Sequence, residues 1–195
     1  LNDMLEIKKT LLSELQHRVK NNLQNIISLL EIQKESINFN NIDELVRANQ
    51  NRIHSMAILH QKLDISKDIN HINLNDYVSE LAVLVRDSYL HINKNIILDI
   101  HCKVEELSIQ QAQPLGMIIV ELMSNSIKHA FVKQNTGTIS INMEKNLNSS
   151  SMQMRYADDG IGFITTQKNQ EKGLGLGIID GLTDQLNGKT TIDHL

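Results

Sequence analysis

The chain has 195 residues, 41% of them hydrophobic, and carries a net charge of −4. That length suits one large or two small domains with a real core, and the interspersed charge offers no basic surface for nucleic acid. A single cysteine excludes an intrachain disulfide and a cysteine metal cluster. Cys102 reads instead as a small apolar residue in a strand. Tryptophan is absent and aromatics make up 3% of the chain, so the core must be built from Ile, Leu, Val and Met. No apolar run approaches the length of a membrane span and no signal peptide stands at the start, so a reducing, cytoplasmic setting is expected, with no membrane contact from this segment. The chain opens at Leu1 inside a helical pattern. This points to a piece of a longer protein, in which an upstream sensor or membrane anchor has room.

The first third is helical. Leu5, Leu12, Leu15, Val19, Asn22, Ile26 and Leu29 follow steps of three and four with one position, Lys8, polar, and so do Ile42, Leu45 or Val46, Asn49, Ile53, Met56, His60 and Leu63. The Asn-rich connection "ESINFNNID" makes an antiparallel hairpin of the two. Two hairpins from two chains would form a four-helix bundle, so a homodimer is expected. "SKDINHINLN", Ser66 to Asn75, is polar and breaks the period, as a linker does. Asn75 or Asp76 then caps a helix running to about Leu90, with Tyr77, Leu81, Leu84 and Val85 inward. "NIILDIHC" is a strand by its β-branched content. Gln111 to Ala130 is a helix with Pro114, the one proline, in its first turn. "TGTISINME" and "SMQMRYAD" alternate as strands, joined by a turn at "KNLNSS". A helix from Leu176 to Leu186 stops at Asn187-Gly188, and "KTTID" follows as a short strand. The fold class expected is α+β: an N-terminal helical hairpin over 1–67, then an α/β sandwich over 68–195 with its helices on one face.

Four stretches carry chemistry. In "ELQHRVKNNLQ", His17 falls opposite the apolar seam, and Lys20, Asn21 and Gln24 share its face. The imidazole is either an ordinary solvated side chain or a nucleophile presented to something outside, competent because much of it is unprotonated at neutral pH. No second ligand stands one turn on, which disfavours a metal there. In "ELMSNSIKHAF", Glu121 and Asn125 stand four apart on one helix face, with Lys128 and His129 a turn further. Oxygen ligands of this kind suit a hydrated Mg²⁺, and the cations suit phosphate; the alternative is a polar stripe facing solvent. In "DDGIGF", Asp158 and Asp159 end a strand beside Gly160 and Gly162, which allow close backbone approach. An acidic acceptor there can take a hydrogen bond from an exocyclic amine, or the stretch is a plain Asp-Gly turn. In "KGLGLGII", Gly173 and Gly175 lead into a helix whose N-terminus favours phosphate. It is neither a P-loop nor a dinucleotide-binding fingerprint.

Together and in this order the stretches resemble a sensor histidine kinase over nearly the whole chain. "HRVKNNLQ" resembles the phosphoacceptor box of the subfamily with His-Arg-x-Lys-Asn-Asn, "LGMIIVELMSNSIKHAF" the N box, and "DDGIGF" and "GLGLGII" the two glycine boxes. The resemblance implies a Bergerat-type ATP-binding fold with ATP and Mg²⁺ as cofactors. It implies phosphorylation of His17 and transfer to an aspartate of a response regulator. Asn125 would hold Mg²⁺, Glu121 would lie near the metal and γ-phosphate as a catalytic residue, and Lys128 and His129 would contact phosphate. Asp158 would accept the adenine amino hydrogen, Gly160 and Gly162 would shape the adenine pocket, and Gly173 and Gly175 would flank the phosphates at the end of a lid, Phe163 to Lys172. Arg18 stands where many members have an acidic residue, and Glu171-Lys172 where Gly-Thr usually leads the second glycine box. Two rivals of other classes stand beside this reading. One is a dimeric scaffold or phosphotransfer module that binds nucleotide without kinase turnover. The other is a nucleotide hydrolase with Glu121 as water-activating base.

Overall fold

The computed structural model describes Ile27 and residues 42–65, 71–146, 151–162 and 174–193. The expected first helix, its connection, residues 66–70 of the expected linker, the turn at 147–150, the lid and both His17 and Gly173 lie outside them. Everything from Ile42 on belongs to one compact unit, Ile42–Leu195.

Helix α1 (Ile42–Ile65) opens with Asp43 and Glu44 in its first turn and has Lys62 in its last, matching the helix dipole at both ends. Its buried residues are Asn49, Asn51, Arg52, Ser55, Met56, Ile58 and Leu59. Of the apolar seam read from the sequence, Asn49 and Met56 are buried, while Ile42, Val46 and Ile53 are 56%, 46% and 47% exposed. The helix therefore has two working faces. One is polar in composition and seats on the rest of the unit; the other is apolar and open.

Strand β1 (His71–Asn73) pairs antiparallel with β3 (Glu106–Ser108), setting Ile72 opposite Leu107. Residues 71–75, expected in the linker, thus belong to a strand and the next helix. Helix α2 (Leu74–Ser88) is capped by Asn73, whose side chain accepts the Asp76 N–H at 2.9 Å. The cap sits two residues before the expected position, because the strand pairing holds Asn73 in the extended conformation that a cap needs. Leu74, Tyr77, Val78, Leu81, Ala82 and Val85 are buried at helical spacing, and Leu84 is half-buried.

Strands β2 (Asn95–Cys102), β4 (Thr136–Lys145) and β5 (Met152–Asp158) form a mixed sheet in the order β2-β4-β5. β2 runs parallel to β4, and β4 antiparallel to β5. Gly137, Ile139, Ile141 and Met143 alternate inward on β4, and Ile97, Asp99 and His101 of β2 face out. One face is covered by helices and the other is open, which is the two-layer α+β arrangement expected. Cys102 is half-buried, donates to the Val104 carbonyl at 3.3 Å, and has its thiol pushed up by that burial.

Helix α3 (Ile109–Asn125) is buried along most of its length, and a π-helical turn, Ser126–Ala130, continues it. It starts two residues earlier than the sequence suggested, so Pro114 lies within the helix and not in its first turn. A proline there cannot donate to the Gln110 carbonyl. Gly116 is where α1, α2 and α3 meet: a Cβ would collide with the Tyr77 hydroxyl, which lies 3.2 Å from Ser55 Oγ. Burial pushes the Tyr77 phenol up to about 12 against that hydrogen bond. Gly137 leaves room in the same way for the fully buried Phe131 ring.

Helix α4 (Leu174–Gln185) buries Ile178 and Ile179. It ends where expected. Asn187 adopts φ 53°, and the Gly188 N–H returns to the Thr183 carbonyl at 2.9 Å. The strand expected at "KTTID" is not formed. Residues 189–193 are exposed, and Thr190 turns its hydroxyl to Thr183 at 3.1 Å. β propensity alone does not make a strand.

Candidate functional site

Glu121 and Asn125 share one face of α3 because they stand four residues apart. Glu121 is 6% exposed and Asn125 half-buried, so the pair is not a stripe in open solvent. Arg52 of α1, 2% exposed, donates its Nε–H to Glu121 Oε1 at 2.7 Å and an Nη1–H to Asn49 Oδ1 at 3.2 Å. The first turn of α4 comes in from another side. A Cβ on Gly175 would lie 3.3 Å from Asn125 Nδ2 and 3.7 Å from Glu121 Oε2. The second glycine stretch is thus laid against the two polar residues of α3, with its backbone as the contacting surface.

The π-helical turn begins directly after Asn125. Such turns widen a helix and are concentrated at functional sites. Ser126, its first residue, donates to Asp158 Oδ2 at 2.6 Å. The other oxygen, Oδ1, accepts the Gly160 N–H at 3.1 Å. The Ile161 N–H bonds the Ala130 carbonyl at 2.9 Å, which ties the "DDGIGF" stretch to the far end of the same turn. The two adjacent aspartates separate here. Asp158 faces the turn, while Asp159 accepts the Thr138 N–H at 2.7 Å and extends the β4–β5 pairing by one residue.

Gly160 packs so closely that a Cβ would strike the backbone of Ala130, whereas a Cβ on Gly162 meets open space but sits at φ 72°. Gly160→Ala is therefore expected to destabilise the fold by about 1–3 kcal/mol through overpacking against backbone. Gly162→Ala should cost about 1–2 kcal/mol through its left-handed φ alone. Urea unfolding of both variants checks this; a neutral Gly160→Ala would contradict the close approach.

Lys128 and His129 lie elsewhere on the turn. Lys128 Nζ sits 5.9 Å from the Tyr89 ring centroid, a ring that Arg47 also approaches at 5.5 Å. His129 is at the surface, and its imidazole is held below the usual range, by partial burial first and by the Lys128 charge second, against a smaller pull from Glu44. So Glu121, Asn125 and Gly175 are brought together, and Asp158 and Gly160 are joined to them through Ser126. Arg52, Ser126 and Tyr156, whose hydroxyl donates to Ser126 Oγ at 2.8 Å, were not among the residues singled out from the sequence. Tyr156 and Ser126 had a signal: two before the aspartate on a strand, and next to the asparagine on a helix. Arg52 had none, standing 69 residues from its partner.

The donors fit Mg²⁺. An amide and a carboxylate side by side are hard oxygen ligands, and Mg²⁺ usually takes few of these from protein and keeps water and phosphate for the rest. Among the described residues no cluster of three or more His, Cys, Asp or Glu could hold an ion by itself.

A family model described as "Histidine kinase" matches residues 14–89, and one described as "Histidine kinase-like ATPase domain" matches residues 95–193. The chain is 30% identical over 184 residues to the sensor histidine kinase PdtaS of Mycolicibacterium smegmatis, covering 93% of this chain and 36% of that protein. It is 25% identical over 159 residues to blue-light-activated histidine kinase 2 of Erythrobacter litoralis, covering 77% of this chain and 43% of that one. The chain thus spans well under half of these relatives. Among solved structures, the Erythrobacter litoralis EL346 blue-light activated histidine kinase superposes with a TM-score of 0.66 at 23% identity, over 90% of this chain and 52% of that one. The histidine kinase domain of the same protein gives 0.59 at 20% identity, over 70% and 64%. At these identities the superpositions speak for the fold.

Proposed function

The chain belongs to the histidine kinase-like ATPase domain family, and on that premise we propose that it is the kinase part of a sensor histidine kinase. ATP bound in the unit from Ile42 on donates its γ-phosphoryl group to the His17 imidazole, and a response-regulator aspartate then receives it. One observation carries this reading: the three nucleotide boxes converge on one end of α3, with Gly175 against Asn125 and Glu121, and Asp158 hydrogen-bonded to the next residue, Ser126.

In the transfer a ring nitrogen of His17 forms a bond to the γ-phosphorus as the bond to the ADP oxygen breaks, and ADP leaves. Catalysis of such a loose transfer is positioning and charge stabilisation. Asp158 accepts the adenine amino hydrogen, with Gly160 and Gly162 shaping the pocket around the base. Asn125 would hold Mg²⁺, which would offset the phosphate charge. Glu121 keeps its Oε1 on Arg52 and has Oε2 on the Gly175 side, toward the phosphates. Gly173, Gly175, Lys128 and His129 complete the phosphate contacts. Functionally the division is a phosphotransfer hairpin over 1–67 and an ATP-binding domain over 68–195, with α1 part of the hairpin while sharing a compact unit with the ATP-binding residues. Its exposed Ile42, Val46 and Ile53 supply the seam for a partner helix and support a homodimer built through the hairpin. No helix among the described residues is long and apolar enough to cross a membrane; we place this part of the protein in the cytoplasm, where ATP and the receiver domain are.

Incubation with Mg²⁺ and γ-labelled ATP tests the reading. Label that is acid-labile, as phosphohistidine is, is the expected result. Bound ATP without label would favour the binding-only scaffold, and free phosphate without phosphoprotein would favour a hydrolase.

The His129 contribution carries a pH signature. Its lowered pKa leaves it neutral above the ordinary histidine range, about 6.5, so His129→Ala leaves ATP affinity unchanged at about pH 8. As pH falls through the lowered value the imidazole gains charge and the variant loses ground to the parent. The stability sign is opposite. A depressed histidine lets the unfolded chain take the proton first, so the parent loses stability on acidification and the variant loses less. ATP titrations and thermal unfolding at about pH 8 and below the lowered value read both; an affinity unchanged by the substitution at both would remove His129 from the phosphate contacts.

A further inference from the structure

The geometry points to Ser126 and Tyr156 as positioning residues that set the Asp158 carboxylate and thereby the preference for a purine bearing an exocyclic amine. The inference rests on the reading of Asp158 as the adenine acceptor. Three side chains form one hydrogen-bonded chain: Tyr156 Oη to Ser126 Oγ at 2.8 Å, and Ser126 Oγ to Asp158 Oδ2 at 2.6 Å. Its direction follows from the inventory of donors. An ionised carboxylate only accepts, so Ser126 spends its single hydroxyl hydrogen on Asp158 and receives that of Tyr156. Burial pushes the Tyr156 phenol well above its usual range, against the hydrogen bond to Ser126, and the Asp158 charge pushes it further, so the phenol stays a donor.

The chain is built by the fold. Tyr156 and Asp158 stand two apart on β5, opposite Ile141 and Ile139 of β4, and so share the helix-covered face of the sheet. Ser126 comes from the turn that packs on that face. Gly160 takes the other carboxylate oxygen at 3.1 Å. With each oxygen held by one donor, the carboxylate plane is fixed and a lone pair on each oxygen remains for a ligand. Asp159, one residue on, is engaged with the Thr138 N–H and is not equivalent.

A held acceptor discriminates by what it faces. It gains a hydrogen bond from a 6-amino group, and it repels a 6-carbonyl, which brings a second acceptor to the same place. If the acceptor swings freely, both differences shrink. Removal of a hydrogen bond to a charged group moves affinity roughly tenfold to a hundredfold.

The test is calorimetric titration of the whole chain with Mg²⁺-ATP and Mg²⁺-ITP, in the parent, Ser126→Ala, Tyr156→Phe and Asp158→Ala. For Ser126→Ala the expected result is ATP affinity lowered about tenfold with ITP affinity nearly unchanged, so that the ATP/ITP ratio falls. Tyr156→Phe keeps the ring and its packing and should lower the ratio in the same direction by roughly threefold. Equal losses for both nucleotides in Ser126→Ala and Tyr156→Phe would show a structural role and overturn the assignment, as would an unchanged ratio. Asp158→Ala separates the two levels. A collapsed ratio in Asp158→Ala beside an intact one in the other two variants rejects only the positioning chain. A ratio that survives Asp158→Ala rejects the adenine reading, and the positioning role with it.

Discussion

Arg52→Ala destabilises the chain by about 3–5 kcal/mol, the usual cost of breaking a buried ion pair from one side. Both partners are nearly sealed from water, at 2% and 8% side-chain exposure, and the Nε to Oε1 distance is 2.7 Å. Truncation leaves the Glu121 carboxylate in a desolvated place without the guanidinium that met it, and removes the Arg52 hydrogen bond to Asn49. The loss is read as a lower urea midpoint at unchanged slope. A companion variant shows that the cost is electrostatic: Arg52→Met together with Glu121→Leu, apolar and of similar volume, returns most of the stability. A loss below about 1 kcal/mol in Arg52→Ala would place the pair in the class of solvated surface bridges.

His17→Gln takes up no acid-labile phosphate from γ-labelled ATP, and it binds ATP as the parent does. Glutamine keeps a polar side chain of similar length but has no ring nitrogen lone pair that can attack phosphorus. The loss is therefore of the nucleophile, and no general base elsewhere compensates for it. Binding is spared because the residues proposed to contact nucleotide all lie between Glu121 and Gly175. Phosphate retained by the variant would move the acceptor to another residue. Lost ATP binding would mean that His17 itself belongs to the nucleotide site.

Most of the two-layer sandwich was legible in the sequence, because its signals are local. β2 over "NIILDIHC" and β4 over "TGTISINME" declare themselves by alternation and β-branched content, and the stop at Asn187-Gly188 by a residue that tolerates positive φ. The failures are those of context. Asn73 caps α2 because β1 pairs with β3, a contact across more than thirty residues that a window does not contain. "KTTID" has the composition of a strand, and composition alone does not pair it. The buried face of α1 includes Asn51, Arg52 and Ser55, which a hydrophobic pattern assigns to solvent; they are hydrogen-bonded to distant side chains. At the site, Glu121, Asn125, Asp158 and Gly175 stood out by motif. The residues behind them, Arg52, Ser126 and Tyr156, did not, because support is written in three-dimensional adjacency and not in spacing.

The Tyr156 hydroxyl has an optical consequence. With no tryptophan and three tyrosines, the ultraviolet emission of this protein is tyrosine emission. Tyr77 is locked among three helices and Tyr89 lies beneath Arg47 and Lys128, while Tyr156 alone ends the chain of bonds that leads to Asp158. Subtracting the spectrum of Tyr156→Phe from that of the parent isolates a single phenol wired to the base pocket. A tryptophan placed at Ile161, exposed between Gly160 and Gly162, would add the chain's one indole, whose emission stands apart from that of the tyrosines. Under the proposed function that indole would report nucleotide arrival with no dye attached.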